Sequence, residues 1–406
     1  MERPPTMGRV QTLFSEARGM TELACRIQRF QDMVQDRGLT CAIVSVPHDV
    51  TYLTGYRSYW EDGPAMLAMA PGEKPIVVIP SALLCPFPSL DEVDVRPYEN
   101  YPGQSEGSGY LNLARQVVDV LRRWRVRGAM IGVEIEHVPH FLIEFLQLKI
   151  ADLEVADITS LLQEQRLVKS NAEVDALCES ARVASVGQEA ARCALVEGRS
   201  EIEVAADARR AMEVEVGEIV EVSLDVVCAA RTSVDSIGGL PSGNVCGKGG
   251  VLVCDIAPRV DGYWGDSCSV LSVGDPPAGI CDMHGVLREA MVLGLEAASP
   301  GVLASELDGV IRDHVRHAGF ECYQHSGHGL GVTKFERPVL SPANYEPLRK
   351  NMVITLEPAA FCEGVGGIRL EQMVHITDSG ARLLFDHSPE NADSAFRALK
   401  SAFTGE

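Results

Sequence analysis

Three things are scarce in this sequence, and each scarcity narrows what the chain can be. Positive charge is the first: 36 Lys and Arg stand against 57 Asp and Glu, a formal net charge of −21. A phosphate backbone demands a basic face, so nucleic acid is not an expected partner. An anionic membrane surface is disfavoured for the same reason. Long apolar runs are the second scarcity. No stretch reaches the roughly 18 residues of a membrane span, and the opening MERPPTMGRVQTLF lacks the apolar core of a signal peptide. The third is order among the cysteines. Twelve Cys occur without a CxxC pair or a regular spacing. Without a secretory leader, that pattern implies free, mostly buried thiols and a cytoplasmic location.

What is present is ordinary in bulk and unusual in detail. The 406 residues are 46% hydrophobic and 23% charged, a globular balance on a chain long enough for two domains. Residues 22–38 have helical spacing with Gly38 as a stop. Residues 40–46 read as a strand, YLTGY (52–56) as a second short strand or turn, and 66–81 as strand, Pro-Gly turn, strand. A helix over 111–126 and a strand over 129–134 continue the alternation, so residues 1–160 are expected to hold a small α/β domain. The stretch 166–195 reads as one long helix opening a second domain over 165–406, with Ser170 and Glu173 at capping-box spacing. Helices near 200–214, 279–298 and 304–318 and strands near 219–230 and 250–256 follow.

Within the second domain, apolar strands end in polar groups. VLVCDIAPRVDGYWGDSCSV (251–270) delivers Asp255, then Asp266 after a Gly-Tyr-Trp-Gly bend. In isolation both would pass for solvated turn residues. HSGHGLGVTKFERP (325–338) sets His328 among glycines, NMVITLEPAAF (351–361) ends a strand in Glu357, and GGIRLEQMVHIT (366–377) places Glu371 mid-strand. A mid-strand Glu between Leu370 and Met373 is costly to bury unpaired. Four carboxylates and one imidazole form a ligand set for two divalent cations. Without metal the carboxylates would repel and raise one another's pKa. Cys254 and Cys268, near two of these residues, read as small core residues rather than ligands.

These motifs, in this order, resemble the pita-bread metallopeptidase superfamily, in its creatinase, prolidase and Xaa-Pro aminopeptidase branch. YLTGY and RLVKSNAEVDAL (166–177) resemble that branch's N-terminal domain and linking helix. The resemblance implies a creatinase-like N-terminal domain, a pita-bread catalytic domain and a homodimer. It also implies two divalent ions, manganese first, with iron, cobalt or zinc also compatible. Asp255 would chelate one metal, Asp266 and Glu371 would bridge, and His328 and Glu357 would complete the second.

The chain also departs from that family. Its peptidases carry a histidine upstream of the first Asp, and here no His lies between His140 and His284. They carry another seven residues after the His ligand, where this chain has Phe335. Losing one oxyanion-type donor can cost about 10²–10³ in rate. His325 and Arg369 are the remaining candidate catalytic groups; the alternatives are a His capping a loop carbonyl and an Arg paired to a ligand carboxylate. Tyr56, Arg57, Tyr59 and Trp60, with Phe335, are candidate substrate contacts; an exposed aromatic–Arg cluster would read a carboxylate or a flat molecule. Three functions stay open: a hydrolase of a C–N bond in the style of a Xaa-Pro dipeptidase, an enzyme of this fold acting on a small non-peptide amide or amidine or as a lyase, and a binding module without catalysis.

Overall fold

A computed structural model describes residues 14–15, 20–56, 63–83, 91–101 and 108–385. The chain divides into two compact units, Met1–Arg166 and Leu167–Glu406. Both mix helix and sheet, as the α/β (α+β) reading expected.

The first unit is built on a six-stranded mixed sheet. Its strands are β1 (Cys41–Val44), β2 (Met66–Met69), β3 (Ile76–Pro80), β4 (Asp94–Tyr98), β5 (Met130–Val133) and β6 (Glu154–Asp157), in the order β4-β3-β2-β1-β5-β6. The middle strands β1, β2 and β3 are buried along their whole length, which is why they read as unbroken apolar runs. Helices α1 (Glu22–Asp36), α2 (Pro47–Thr54), α3 (Gly109–Arg123), α4 (His140–Lys149) and α5 (Thr159–Leu167) complete it. Val117, Val118 and Leu121 of α3 pack into one core with Ile43, Val78 and Ile131.

YLTGY is not the expected strand or turn throughout. Tyr52–Thr54 finish α2, which starts on Pro47, where a missing N–H costs nothing. Gly55, at φ 70°, ends the helix in the left-handed region.

The second unit starts with α6 (Asn171–Ala194). The expected single helix over 166–195 is interrupted at Val168–Ser170. Ser170 turns to cap α6 in a full capping box with Glu173, a device worth about 1 kcal/mol. Helix α7 (Glu201–Val216) leads to β7 (Glu221–Cys228), then β8 (Val251–Val260), β9 (Tyr263–Trp264) and β10 (Ser267–Ser272). Strand β8 is the axis of this sheet, paired antiparallel with β7, β9 and β10. Next come α8 (Ala278–Ala297) and α9 (Ala304–His317). Strands β11 (Glu321–Cys322), β12 (Gly327–Gly329), β13 (Glu336–Leu340), β14 (Val353–Leu356), β15 (Ala359–Cys362), β16 (Gly366–Arg369), β17 (Gln372–Thr377) and β18 (Gly380–Leu383) form two further sheets, ordered β11-β15-β16 and β13-β12-β14-β17-β18.

The expected continuous strand over 366–377 is therefore two strands in different sheets. Leu370 and Glu371 form the junction between them. Glu371 is held there by a two-way backbone bridge to Cys268 of β10.

The described cysteines are free. Cys254 and Cys268 lie in the apolar cores, as expected. "Mostly buried" overstates the set, because five of the eleven described cysteines are buried, four are partly buried, and Cys193 and Cys281 stand exposed on α6 and α8. Among the described residues no helix is long and apolar enough to cross a membrane.

Glu201, at the start of α7, ties the 229–244 connection together. Its carboxylate accepts from the Cys228 N–H at 2.8 Å, the Ser242 hydroxyl at 2.8 Å and the Asn244 amide at 3.2 Å, and pairs with Arg231. Burial alone would raise its pKa; these donors outweigh burial and pull it down to about 2. A depressed folded-state pKa stabilises the chain fully above the unfolded value, about 4.3, and that stability is lost as pH falls toward 2. Glu201→Gln should therefore lower stability at neutral pH and flatten the acid limb between about pH 4 and 2, as read by denaturant titrations across that range. An unchanged acid limb would sink the assignment.

Candidate metal centre

The hairpin β8–β9 sets the geometry. Asp261 and Gly262 both have positive φ, 49° and 88°, which suits a tight two-residue turn. Gly265 then lies against α6 so closely that a Cβ there would run into the Ser180 carbonyl. The chain is thus folded back so that Asp266 returns beside Asp255. Gln188 of α6, buried, donates to the carbonyls of Cys254 at 3.0 Å and Ser267 at 2.9 Å, the residues just before Asp255 and just after Asp266. Sequence reasoning missed Gln188; its signal is an amide on the buried face of a helix.

The five predicted ligands come together. Asp255, Asp266, His328, Glu357 and Glu371 are all buried. The His328 Nε2 lies 3.8 Å from Asp266 Oδ2 and 3.4 Å from Glu357 Oε1, and ligand atoms of Asp266, His328 and Glu371 lie within 4.8 Å of one another. His328 Nδ1 is 2.9 Å from the Gly329 carbonyl. With the proton on that nitrogen, Nε2 presents its lone pair to the carboxylates. Burial lowers the His328 pKa and keeps the ring neutral.

The carboxylates bear the cost of this crowding. Burial, then repulsion from Asp266 and Glu357, lifts Glu371 well above the usual range. Asp266 is raised too, by burial and by Asp255, although Lys334 pulls the other way. Glu357 goes down to about 2: burial opposes this, but the hydrogen bond from His325 and the Arg369 charge help to outweigh it. Asp255 Oδ1, both oxygens of Asp266, and Glu371 Oε1 are buried and accept no hydrogen bond. Orphaned carboxylate oxygens converging with an imidazole lone pair are the donor chemistry that a divalent cation satisfies, so the residues fit the metal that the sequence implied.

The remaining candidates fall into three groups. His325 faces Glu357 at 3.3 Å rather than capping a carbonyl, and Phe335, half-exposed, stacks on His328 with ring centroids 4.3 Å apart. Arg369 is buried with its guanidinium on Asp255, which is the ion-pair alternative and not a free donor. Tyr56 is buried and not part of an exposed cluster, because the Gly55 cap turns the chain sharply there. Arg57, Tyr59 and Trp60 lie outside the described residues.

Two more charged groups belong to the centre and were not foreseen. Lys334 Nζ lies 3.7 Å from Asp255 Oδ1 and 3.9 Å from Asp266 Oδ1. Asp225 of β7 pairs directly with Asp255 across the ladder, and burial followed by the Asp255 charge raises its pKa. In sequence, a Lys in a loop and an Asp in a half-polar strand both pass for solvated groups.

Residues 175–378 match the model for metallopeptidase family M24, and residues 26–168 match the creatinase/prolidase N-terminal domain. The chain is 29% identical to the Xaa-Pro dipeptidase of Pyrococcus horikoshii over 256 residues, 63% of this chain and 72% of that one. It is 26% identical to the uncharacterized peptidase YqhT of Bacillus subtilis over 369 residues, 90% of this chain and 98% of that one. The crystal structure of a prolidase from Pyrococcus horikoshii superposes with a TM-score of 0.78 at 22% identity, covering 90% of this chain and 99% of the other.

If the crowded carboxylates await a cation, removing one charge should relieve the metal-free chain and disable the loaded one. Asp266→Asn should be at least as heat-stable as wild type without metal. Wild type should gain about 2.7 kcal/mol with free Mn²⁺ at a hundred times its dissociation constant, and the variant should gain nothing. Calorimetry with and without the ion decides it; a variant that keeps the increment contradicts the assignment of Asp266.

Proposed function

The chain belongs to metallopeptidase family M24, and from that premise we propose that it hydrolyses a C–N bond in a dipeptide-sized or smaller substrate. The proposed ligands are Asp266, His328, Glu357 and Glu371, with Asp255 as the fifth member of the set, and manganese is the proposed metal. The observation that carries the reading is the convergence of four buried carboxylates and the His328 imidazole, with carboxylate oxygens that accept no hydrogen bond. A bound divalent ion supplies Lewis acidity that lowers the pKa of water and polarises a carbonyl. The chain's own residues then orient and exclude. Arg369 positions Asp255, while Thr355 donates to Glu357 at 3.2 Å and accepts from the His328 backbone at 3.1 Å. His325 is the proposed donor to charge developing on the substrate.

Phe335 supports a second reading within the same chemistry. It sets an apolar ring beside His328, where the resemblance calls for a donor. A substrate that brings its own polar groups, such as a cyclic or N-substituted amide or an amidine, needs that donor less. Wild type should therefore turn over Xaa-Pro dipeptides poorly and such amides better. Phe335→His should raise dipeptide turnover by up to about 10²-fold. Steady-state rates on both panels with added Mn²⁺ test this. Robust dipeptide hydrolysis by wild type, unimproved by the added histidine, contradicts it.

A cytoplasmic location is proposed on the free thiols. A homodimer is proposed on the resemblance, and light scattering at micromolar concentration should give twice the 43.9 kDa chain mass; a monomeric mass with full activity would refute it.

A further inference from the structure

By composition the centre has room for two ions. We infer that Lys334 holds the place of one of them, so that the chain takes up a single divalent ion, on the Asp266–His328–Glu371 side. The inference rests on the metal-dependent reading above and goes beyond it in the number of ions and in the residue that sets that number.

Asp255 already has cations beside it. Its Oδ2 is held by Arg369, and its Oδ1, which accepts no hydrogen bond, has the Lys334 ammonium 3.7 Å away. The Lys334 ammonium also lies 3.9 Å from Asp266 Oδ1, between the two aspartates that the resemblance would have share a metal. An ion there would have to displace one fixed cation from Asp255 and sit against another. Asp266 keeps its other oxygen turned toward His328. Among the described residues, Asp266, His328 and Glu371 are the group whose ligand atoms lie within 4.8 Å of one another, and Asp255, like Glu357, lies outside it.

Lys334 is itself held in place. On one side Thr333 donates its backbone N–H and its hydroxyl to Glu336, each at 3.2 Å, and Glu336 is itself anchored by the buried Lys169 at 3.1 Å. On the other side the Phe335 ring packs on His328. The backbone is thus fixed before and after Lys334, and its side chain points inward with 30% exposed. Charge agrees with geometry. Arg369 and Lys334 offset two of the negative charges that the four buried carboxylates and Asp225 can carry, so less of that charge is left for ions to neutralise.

The test is a count. Metal-free full-length chain is titrated with Mn²⁺ alone by calorimetry, and ions per chain are measured by elemental analysis after gel filtration. Wild type should hold one ion per chain, with the six-line spin resonance spectrum of isolated Mn²⁺. Lys334→Met, which keeps the stem and removes the charge, should hold two, with a spectrum broadened by exchange coupling. Lys334→Gln serves if the first variant misfolds by circular dichroism. Two ions of comparable affinity in wild type, or one ion in wild type and in the folded variant alike, overturn the inference. A wild-type chain that takes up no ion overturns both the inference and the metal-dependent reading.

Discussion

Four carboxylates buried side by side are the constraint around which the second unit is organised. Water cannot reach them to screen their charge, and each makes the next harder to ionise. The surrounding residues answer that repulsion piece by piece. Arg369 sits on Asp255, Lys334 spans Asp255 and Asp266, and two imidazoles flank Glu357. The elements that carry no charge serve the same end. Gln188 locks the chain on either side of the two aspartates, and Gly265 lets the bend lie flush against α6.

Two residues that shape the centre fall in one short loop between β12 and β13. Lys334 and Phe335 are adjacent in sequence, yet one changes the charge balance at the aspartates and the other the polarity beside His328. Read motif by motif, the resemblance registers two missing histidines, of which only the one at Phe335 belongs to this loop. In space, both properties are set by neighbours in a loop that supplies none of the proposed ligands.

How much of this was legible beforehand follows from what each signal depends on. Asp255, Asp266, His328, Glu357 and Glu371 stood out because a polar group at the end of an apolar strand violates local pattern, and a violation needs no tertiary knowledge to be seen. The α6 start was legible because a capping box is written within four residues. The helix α2 was missed because Tyr52 and Leu53 favour a strand locally, while Pro47 and Gly55 at its two ends decide otherwise. The break at Glu371 was missed because 366–377 alternates like one strand, and only pairing with two different sheets divides it. Lys334 breaks no local rule at all, and Gln188 only the weak one of an amide on a buried helix face. Their importance comes from what lies across from them, and a linear sequence does not contain that.

The ladder around β8 carries one more consequence. Asp225, Asp255, Cys268 and Glu371 stand in a single transverse row, each facing the next across adjoining chain segments. Sheet side chains alternate faces with a period of two, so adding or deleting a single residue in β8 upstream of Asp255 would put Cys254 or Ile256 in that row and send the carboxylate to the opposite, apolar side. Length variation is therefore closed to the strand and open to the connections that flank it, such as the 229–250 segment between β7 and β8. Over evolutionary time a lineage with this architecture can reshape its rim by insertion while its centre changes by substitution alone.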